Sequence, residues 1–307
     1  MLSKNHKLIR WLCSIHPCVD RISFLDWICK NHLQYWFFSL LRFGFSPKLL
    51  ARLADQSNSY TLDDYTRLHT LATSYLRAGN TVKTTGMART RHADMCVLTA
   101  ASEKNDPRLL EVGVSDGISS LGLLNNSTMF SEIKLTDRFP RYYLKEDLLS
   151  CKIYDADGVS HGMKVLGILF NTAGEKNNQC ANISSCKKVE TINPKIKCVS
   201  SQDVIHKFDI FNTVYEQKFD IIKCSNLLNL IYFGEKQIFN AIDNILKSLK
   251  IGGCLIISHN NSKYRDEEAV LCARQIAEGQ LEIYHQINEH ELLSVIEKSD
   301  NGHLFAK

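Results

Sequence analysis

The chain has 307 residues with 37 basic and 33 acidic side chains, a net charge of +4 and no long basic run, which excludes the electrostatic footprint of a nucleic-acid binder. With 44% hydrophobic and 23% charged residues it has the composition of a soluble globular protein, long enough for one large α/β domain and an appendage. Its eleven cysteines form no C-x-x-C pair and no zinc spacing, so no metal site is expected and the setting reads as reducing and cytoplasmic. No apolar signal core follows the charged residues 1–10.

Residues 1–80 predict a helical N-terminal region. Stretches 7–15, 22–43, 47–54 and 61–78 carry apolar residues at three-to-four spacing. Ser46-Pro47 suits a helix start, and Thr61 followed by Asp63 and Asp64 suits an N-cap with acids in the first turn. Segment 22–45 is unusually aromatic, with Trp27, Tyr35, Trp36, Phe37, Phe38, Phe43 and Phe45. Asp26, Lys30, Asn31, His32 and Gln34 stop it from spanning a bilayer. It reads as a packing surface, against the rest of the chain or a second subunit in a homodimer, with Trp27, Trp36 and Phe37 buried; contact with a membrane surface is the less favoured reading.

Residues 79–92 form a polar connector carrying Lys83, Arg89 and Arg91, placed to touch an acceptor, expected to be a small molecule and anionic if the arginines meet it, or the carboxylate of a cofactor. A helix over 93–101 precedes a buried strand ending in Leu109-Leu110-Glu111-Val112, a turn over 113–117, and helical spacing over 118–124. The turn spells acid-x-Gly-x-Ser-x-Gly, through Glu111, Gly113, Ser115 and Gly117. Glycines let a ligand approach the backbone, and the first amides of the helix face the loop. The dinucleotide order G-x-G-x-x-G is not met, because Ser115 and Ile118 stand at its second and third positions. A strand over 132–137 ends in Asp137, 24 residues after Gly113, where a carboxylate accepts both ribose hydroxyls in doubly wound folds.

Residues 140–195 exceed the needs of a crossover and read as an insertion: a β-hairpin with strands 151–154 and 163–170 around Asp155-Ala156-Asp157-Gly158. That tetrapeptide begins like a calcium loop, but the later ligand positions fall on Val159, Met163 and Leu166. A third strand is expected over 196–200, followed by Gln202 and Asp203. Next come an apolar strand over 219–226 ending in Ser225-Asn226, a helix over 234–249, a Gly252-Gly253 turn and a strand over 254–259. A helix over 267–277, a strand over 281–287, a short helix over 289–298 and a weak last strand over 303–306 complete the reading.

The lettering at 111–117, the acid-ended second strand, and the F-D strand, long helix, Gly-Gly and apolar strand after it resemble motifs of the class I S-adenosylmethionine-dependent methyltransferases over 109–260. The run 219–259 is also similar to chemotaxis-receptor carboxyl methyltransferases, which typically have Arg where Ser225 stands. The resemblance implies a Rossmann-like, doubly wound α/β fold with a mostly parallel sheet over 81–307, binding S-adenosyl-L-methionine. It implies a methionine-side loop of Glu111, Gly113, Val114, Ser115 and Gly117, a ribose acid at Asp137, adenine contacts at Gln202 or Asp203, and strand-end residues Ser225 and Asn226. Asn226 for positioning and His259 as a base are candidates, with no catalytic residue assigned. The reading from a different class is a non-catalytic binding or scaffold protein that keeps the fold.

Overall fold

A computed structural model describes residues 15–33, 44–78, 81–83, 85–166, 168–170, 182–199, 205–230, 233–260, 263–264 and 268–293. The chain divides into two compact units, one of Met1–Gly86 with Phe139–Cys198 and one of Met87–Arg138 with Val199–Lys307.

The second unit carries the motifs. Its strands are β1 (Arg108–Val112), β2 (Glu132–Asp137), β3 (Ile205–Lys207), β4 (Phe219–Ser225), β5 (Leu249–Asn260), β6 (Glu268–Ala277) and β7 (Gln280–Ile287), and its helices are α1 (Arg91–Ser102), α2 (Leu121–Leu124) and α3 (Glu235–Ser248). They form one sheet in the order β3-β2-β1-β4-β5-β6-β7. The first five strands are parallel, while β6 runs antiparallel to both of its neighbours. This is a Rossmann-like doubly wound core with an antiparallel edge. The central strands are apolar on both faces because both faces are covered. On one side Ala93, Val97, Ala100 and Ala101 of α1 pack on Leu109, Ile221, Ile256 and Cys272. On the other, Ile238, Ile242, Ile245 and Leu246 of α3, at helical spacing, pack on Leu110, Ile222, Leu255 and Ile257.

Helix α3 starts at Gly234, whose N–H donates to Gln237 Oε1 at 3.2 Å. Gly252 has φ +78°, and a Cβ on Gly253 would lie 2.7 Å from the Lys250 carbonyl oxygen. The expected turn there is therefore an irregular start to β5, where the register with β4 shifts.

Two expectations in this unit are corrected. A helix was expected over 267–277, but Glu268–Ala277 is a strand. Glu-Ala-Val-Leu-Cys-Ala-Arg has helical spacing, but the segment is hydrogen-bonded on both sides and six of its first residues are consecutively buried. Tertiary pairing outweighs the propensity of Glu, Ala, Leu and Arg. A third strand was expected over 196–200, but it is β3 at Ile205–Lys207; Pro194–Val199 is a short helix, in the other unit as far as Cys198, with proline tolerated in its first turn. The adenine candidates Gln202 and Asp203 lie outside the described residues and lose the strand that motivated them. The weak strand at 303–306 also lies outside.

The first unit is not the purely helical region expected for 1–80. It holds a mixed sheet in the order Lys187–Glu190, Arg141–Glu146, Ser150–Tyr154, Ser160–Val165, Ile168–Phe170, Ile15–Val19, Gly44–Phe45. Helices Ile22–Asn31, Pro47–Asp55 and Leu62–Ser74 share a core with it, through Leu25, Leu49, Leu53, Leu68, Tyr142 and Ile153. Segment 139–198, which holds the stretch 140–195 expected as an insertion, belongs to this unit, and β2 leads into it instead of into a single crossover helix. Ile15 begins a strand, and the helix from Ile22 stops at Asn31 with His32 left-handed. Thr61 caps its helix as expected, accepting the Asp64 N–H at 3.2 Å. The 155–158 turn is held by Asp155, whose Oδ1 accepts the N–H of Asp157 at 2.8 Å and of Val159 at 3.0 Å. Trp27 is half exposed and stacked on Phe24, against the expectation of burial; Trp36 and Phe37 lie outside the described residues. Among the described residues no helix is long and apolar enough to cross a membrane.

A hydrogen-bonded contact from β6 holds the start of α1. Glu268, buried on β6, accepts the N–H of His92 at 2.7 Å through Oε2 and of Ala93 at 3.3 Å through Oε1. It caps α1 from outside the helix, where its own Thr90 gives no side-chain cap. Glu268→Ala is expected to lower stability by about 1–2 kcal/mol, the scale of a lost N-cap, read from the urea midpoint at neutral pH.

Candidate functional site

The motif loop leaves β1 at Val112 and closes against the end of β2. Gly113 and Val114 donate to the Thr136 carbonyl at 2.8 and 3.0 Å. The loop then passes through three left-handed residues, Gly113 at φ +78°, Ser115 at +60° and Gly117 at +83°. At Ser115 that conformation costs a residue with a Cβ about 1 kcal/mol. It is held by a hydrogen bond from the Ser115 N–H to Asp137 Oδ2 at 2.9 Å. Gly113 is also pressed from the front: a Cβ there would sit 3.0 Å from Leu227 Cδ2, in the loop after β4. Asp116 Oδ1 accepts the Ile118 N–H at 3.1 Å and starts the short helical stretch.

The structure therefore brings Gly113, Val114, Ser115, Gly117 and Asp137 together at the carboxyl ends of β1 and β2. Asp137 is a buried carboxylate directed at the loop. A carboxylate offers about four acceptor positions, of which the Ser115 N–H takes one.

Glu111 has a different environment from the one the motif implies. Its side chain lies on the α1 face of the sheet, buried, with Oε1 2.7 Å from Lys223 Nζ on β4. Lys223 is wholly buried and also reaches Asp94 Oδ1 at 2.5 Å and Thr90 Oγ1 at 3.0 Å. Glu111 Oε2 has no hydrogen-bond partner among the described residues. Two acids here share one ammonium, so the cluster carries a surplus negative charge. Burial pushes the Asp94 carboxyl up to about 6; Lys223 opposes that and Glu111 adds to it. Burial works against charge on Lys223, yet the two acids together outweigh it and raise its pKa. The two directions agree once the charges are counted, because the lysine is over-compensated and Asp94 is the acid that yields. Sequence reasoning missed Lys223, although a lysine inside Phe-Asp-Ile-Ile-Lys-Cys was a visible sign of a buried partner.

At the ends of β4 and β5 the backbones are tied by side chains. Ser258 Oγ donates to Ser225 Oγ at 2.9 Å. Asn226, left-handed at φ +56°, donates its N–H to the Ser258 carbonyl at 2.7 Å and accepts the Asn260 N–H on Oδ1 at 2.8 Å. Asn260 in turn accepts from Arg89 Nε at 2.9 Å and donates to the Arg89 carbonyl at 3.1 Å. Arg89 is therefore brought to this edge of the sheet, whereas Arg91 is the exposed first residue of α1. Beyond β3, Asp209 binds Arg138 at 3.4 Å and accepts the Phe211 N–H at 3.1 Å.

No family model matches the sequence, and no curated protein matches it. Among solved structures the chain is similar to the N-methyltransferase NodS of Bradyrhizobium japonicum WM9 in complex with S-adenosyl-L-homocysteine, at 16% identity over 56% of this chain and 62% of that one, with a TM-score of 0.33. It is similar to the sugar N-methyltransferase KedS8 from Streptoalloteichus, at 13% identity over 61% and 59%, TM-score 0.32. It is also similar to the S-adenosylmethionine-dependent methyltransferase SibL, at 12% identity over 57% and 38%, TM-score 0.32. The chain spans less than two thirds of the length of these structures. At these scores the likeness adds nothing to the sheet order, which carries the fold by itself.

The charge cluster gives two expected outcomes. Lys223→Met leaves two buried carboxylates without a counter-charge and is expected to cost about 3–5 kcal/mol in urea unfolding. Because the folded-state pKa of Asp94 is raised from 3.8 to about 6, the folded protein holds that proton more tightly, and the Asp94 contribution to stability falls as pH rises through this window. The stability of Asp94→Asn relative to the parent is therefore expected to rise between pH 4 and about 6 and to level off above it, measured as the difference of unfolding free energies at each pH.

Proposed function

We propose that the second unit binds S-adenosyl-L-methionine and transfers its methyl group to a small-molecule acceptor. The observation that carries this reading is the hydrogen bond between the Ser115 amide and Asp137. It joins a loop with three left-handed residues to the carboxylate at the end of the second strand. In a doubly wound sheet that is the place where an adenosine ligand is read: hydroxyl donors on the acid, the rest of the ligand along the loop. The residues fit the group. Asp137 would take the ribose hydroxyls, and the backbone of Gly113, Val114, Ser115 and Gly117 would line the methionine part. The bound sulfonium supplies an already electrophilic methyl group and leaves as a neutral thioether.

The chain then has to orient the acceptor and exclude water. Asn226 fixes the loop after β4 against the end of β5, and that loop presses Leu227 onto Gly113. Arg89 has its guanidinium and carbonyl engaged by Asn260, which suits it to hold the connector at the strand ends more than to meet an anionic acceptor. A protein that binds the nucleoside without transferring methyl is the second reading. It is favoured by one observation, the diversion of Glu111 to Lys223.

Calorimetric titration with S-adenosylmethionine, S-adenosylhomocysteine and NAD separates these readings from a dinucleotide site. The first two ligands are expected to bind and the third not to. Asp137→Ala is expected to weaken binding by about 1.5–3 kcal/mol, the scale of hydrogen bonds to a charged group. Unchanged affinity in a folded Asp137→Ala protein sinks the assignment. Bound ligand without methyl transfer to any acceptor class selects the second reading.

A further inference from the structure

The face of the sheet under α1 carries three thiols that the proposed function leaves unused. Helix α1 is held along β6 at both ends. Glu268 accepts the N–H groups of His92 and Ala93 at its start, and Arg274 Nη2 donates to Oε2 of Glu103, the residue that ends α1, at 3.2 Å. By strand alternation Cys272 points to the same side as Glu268 and Arg274, towards the helix. It is buried there with Val97 and Ala100, and Cys96 packs half-buried against the same cluster. Cys254 of β5 is the third thiol, also buried. Between the two clamps the side chains of Cys96 and Cys272 meet in a thiol–thiol hydrogen bond.

The surroundings tell the two thiols apart. The Cys272 S–H donates to the Cys96 sulfur and makes Cys96 the more acidic of the two, against burial and the charge of Glu268. The same bond, with burial, holds Cys272 above the usual thiol range, while a hydrogen bond from the Tyr284 hydroxyl works the other way. Tyr284 reaches this side through a bulge. Cys272 stands opposite His285 and Ala273 opposite Ile283, so Tyr284 is the extra residue of β7. A bulge re-aims a side chain, and here it turns the phenol towards the thiols, with the Arg274 guanidinium 5.2 Å from the ring centroid. Cys254 is engaged separately, by Arg274 and Tyr284. Thiol–disulfide exchange needs an accessible, more acidic thiol that attacks and a second thiol beside it that resolves the product. Cys96 and Cys272 have these two characters in that order.

We propose that Cys96 and Cys272 are a redox-active pair, that their oxidant is a small disulfide such as glutathione disulfide, and that closing the pair staples α1 to β6. The proposal is independent of the methyltransferase reading. In the first step the Cys96 thiolate attacks one sulfur of glutathione disulfide. The bond between the two glutathione sulfurs breaks, and its electron pair leaves on the departing glutathione thiolate. Cys272 then gives up its proton and attacks the Cys96 sulfur of the mixed disulfide, which expels the second glutathione thiolate. The two protons lost by the cysteines end on the two glutathione thiols. The protein pair is oxidised by two electrons and glutathione disulfide is reduced by the same two. The new bond adds a covalent tie between the contacts that Glu268 and Arg274 already make at the two ends of α1.

The test equilibrates the full-length protein with mixtures of glutathione and glutathione disulfide, from reducing to oxidising, blocks the remaining thiols with an alkylating agent and maps the peptides by mass spectrometry. The expected result is a joined pair of peptides carrying Cys96 and Cys272, lighter than their sum by two hydrogens. Its share is expected to rise with the oxidised fraction of the mixture and to vanish on addition of dithiothreitol. Cys272→Ala is expected to stop at a glutathione adduct on Cys96, and Cys96→Ser to form no cross-link. Should Cys272→Ala not fold, the peptide map of the parent decides by itself. The oxidised parent is expected to unfold at a higher urea concentration than the reduced parent, a rise that Cys96→Ser does not show. A parent that keeps both cysteines alkylated in the most oxidising mixture, or that joins Cys96 to a different cysteine, overturns the pair. A joined parent whose urea midpoint does not rise overturns the staple.

Discussion

The second unit depends on one buried ammonium. Lys223 sits in the middle of β4, without solvent contact, and its three donors reach Glu111 on β1 and Asp94 and Thr90 at the start of α1. Such a group is tolerable in an interior only when its hydrogen-bonding capacity is filled. Filling it fixes the register between β1 and β4, where Lys223 stands opposite Glu111, and pins the first turn of α1 on the same face. Glu268 completes the arrangement from β6 by capping the same turn. Four segments far apart in sequence thus converge beneath the motif loop through directional, charged contacts. Apolar packing alone would allow α1 to slide over the sheet.

That arrangement changes what the first acid of the motif does. Glu111 stands where the resemblance puts a ligand-side carboxylate, yet one of its oxygens neutralises Lys223. The loop itself is organised by Asp137, through Ser115. In this chain the acid of the second strand shapes the loop, and the acid of the first strand works mainly below it. The strain of a left-handed serine is consistent with this division. It persists because the Asp137 bond and the two Thr136 bonds over-determine the loop.

What the sequence made legible follows the same physics. The strands ending in Val112, Asp137 and Ser225, the α3 helix and the Thr61 cap were readable because local pattern and final environment agree there. The glycine order and the distance from Gly113 to Asp137 located the loop and the acid that the structure joins. Residues 268–277 were not readable, since their helical spacing is overruled by pairing with a strand on each side. Nor was the grouping of 139–198 with 1–86, because that core is shared by segments separated by residues 87–138 of another unit. The partners of Lys223 were hidden for a related reason: positions 94, 111 and 223 meet only once the strand order is known.

The antiparallel edge shows how far the doubly wound scheme reaches in this protein. After β5 the chain turns directly into β6 and then β7, so the sheet ends as a meander, without a helix between β5 and β6 among the described residues. A parallel continuation would need a crossover helix over this end of the sheet. The meander does without one, and it returns the chain from β7 to the carboxyl end of β5. There the turn after Ile287 sets His290 against His259 and brings Glu291 to the Leu230 amide. The first strands of the sheet thus build the loop and acid that suit a nucleoside, while the meander delivers polar side chains to the opposite part of the same edge. The meander is therefore what brings His290 and Glu291 to the carboxyl end of β5.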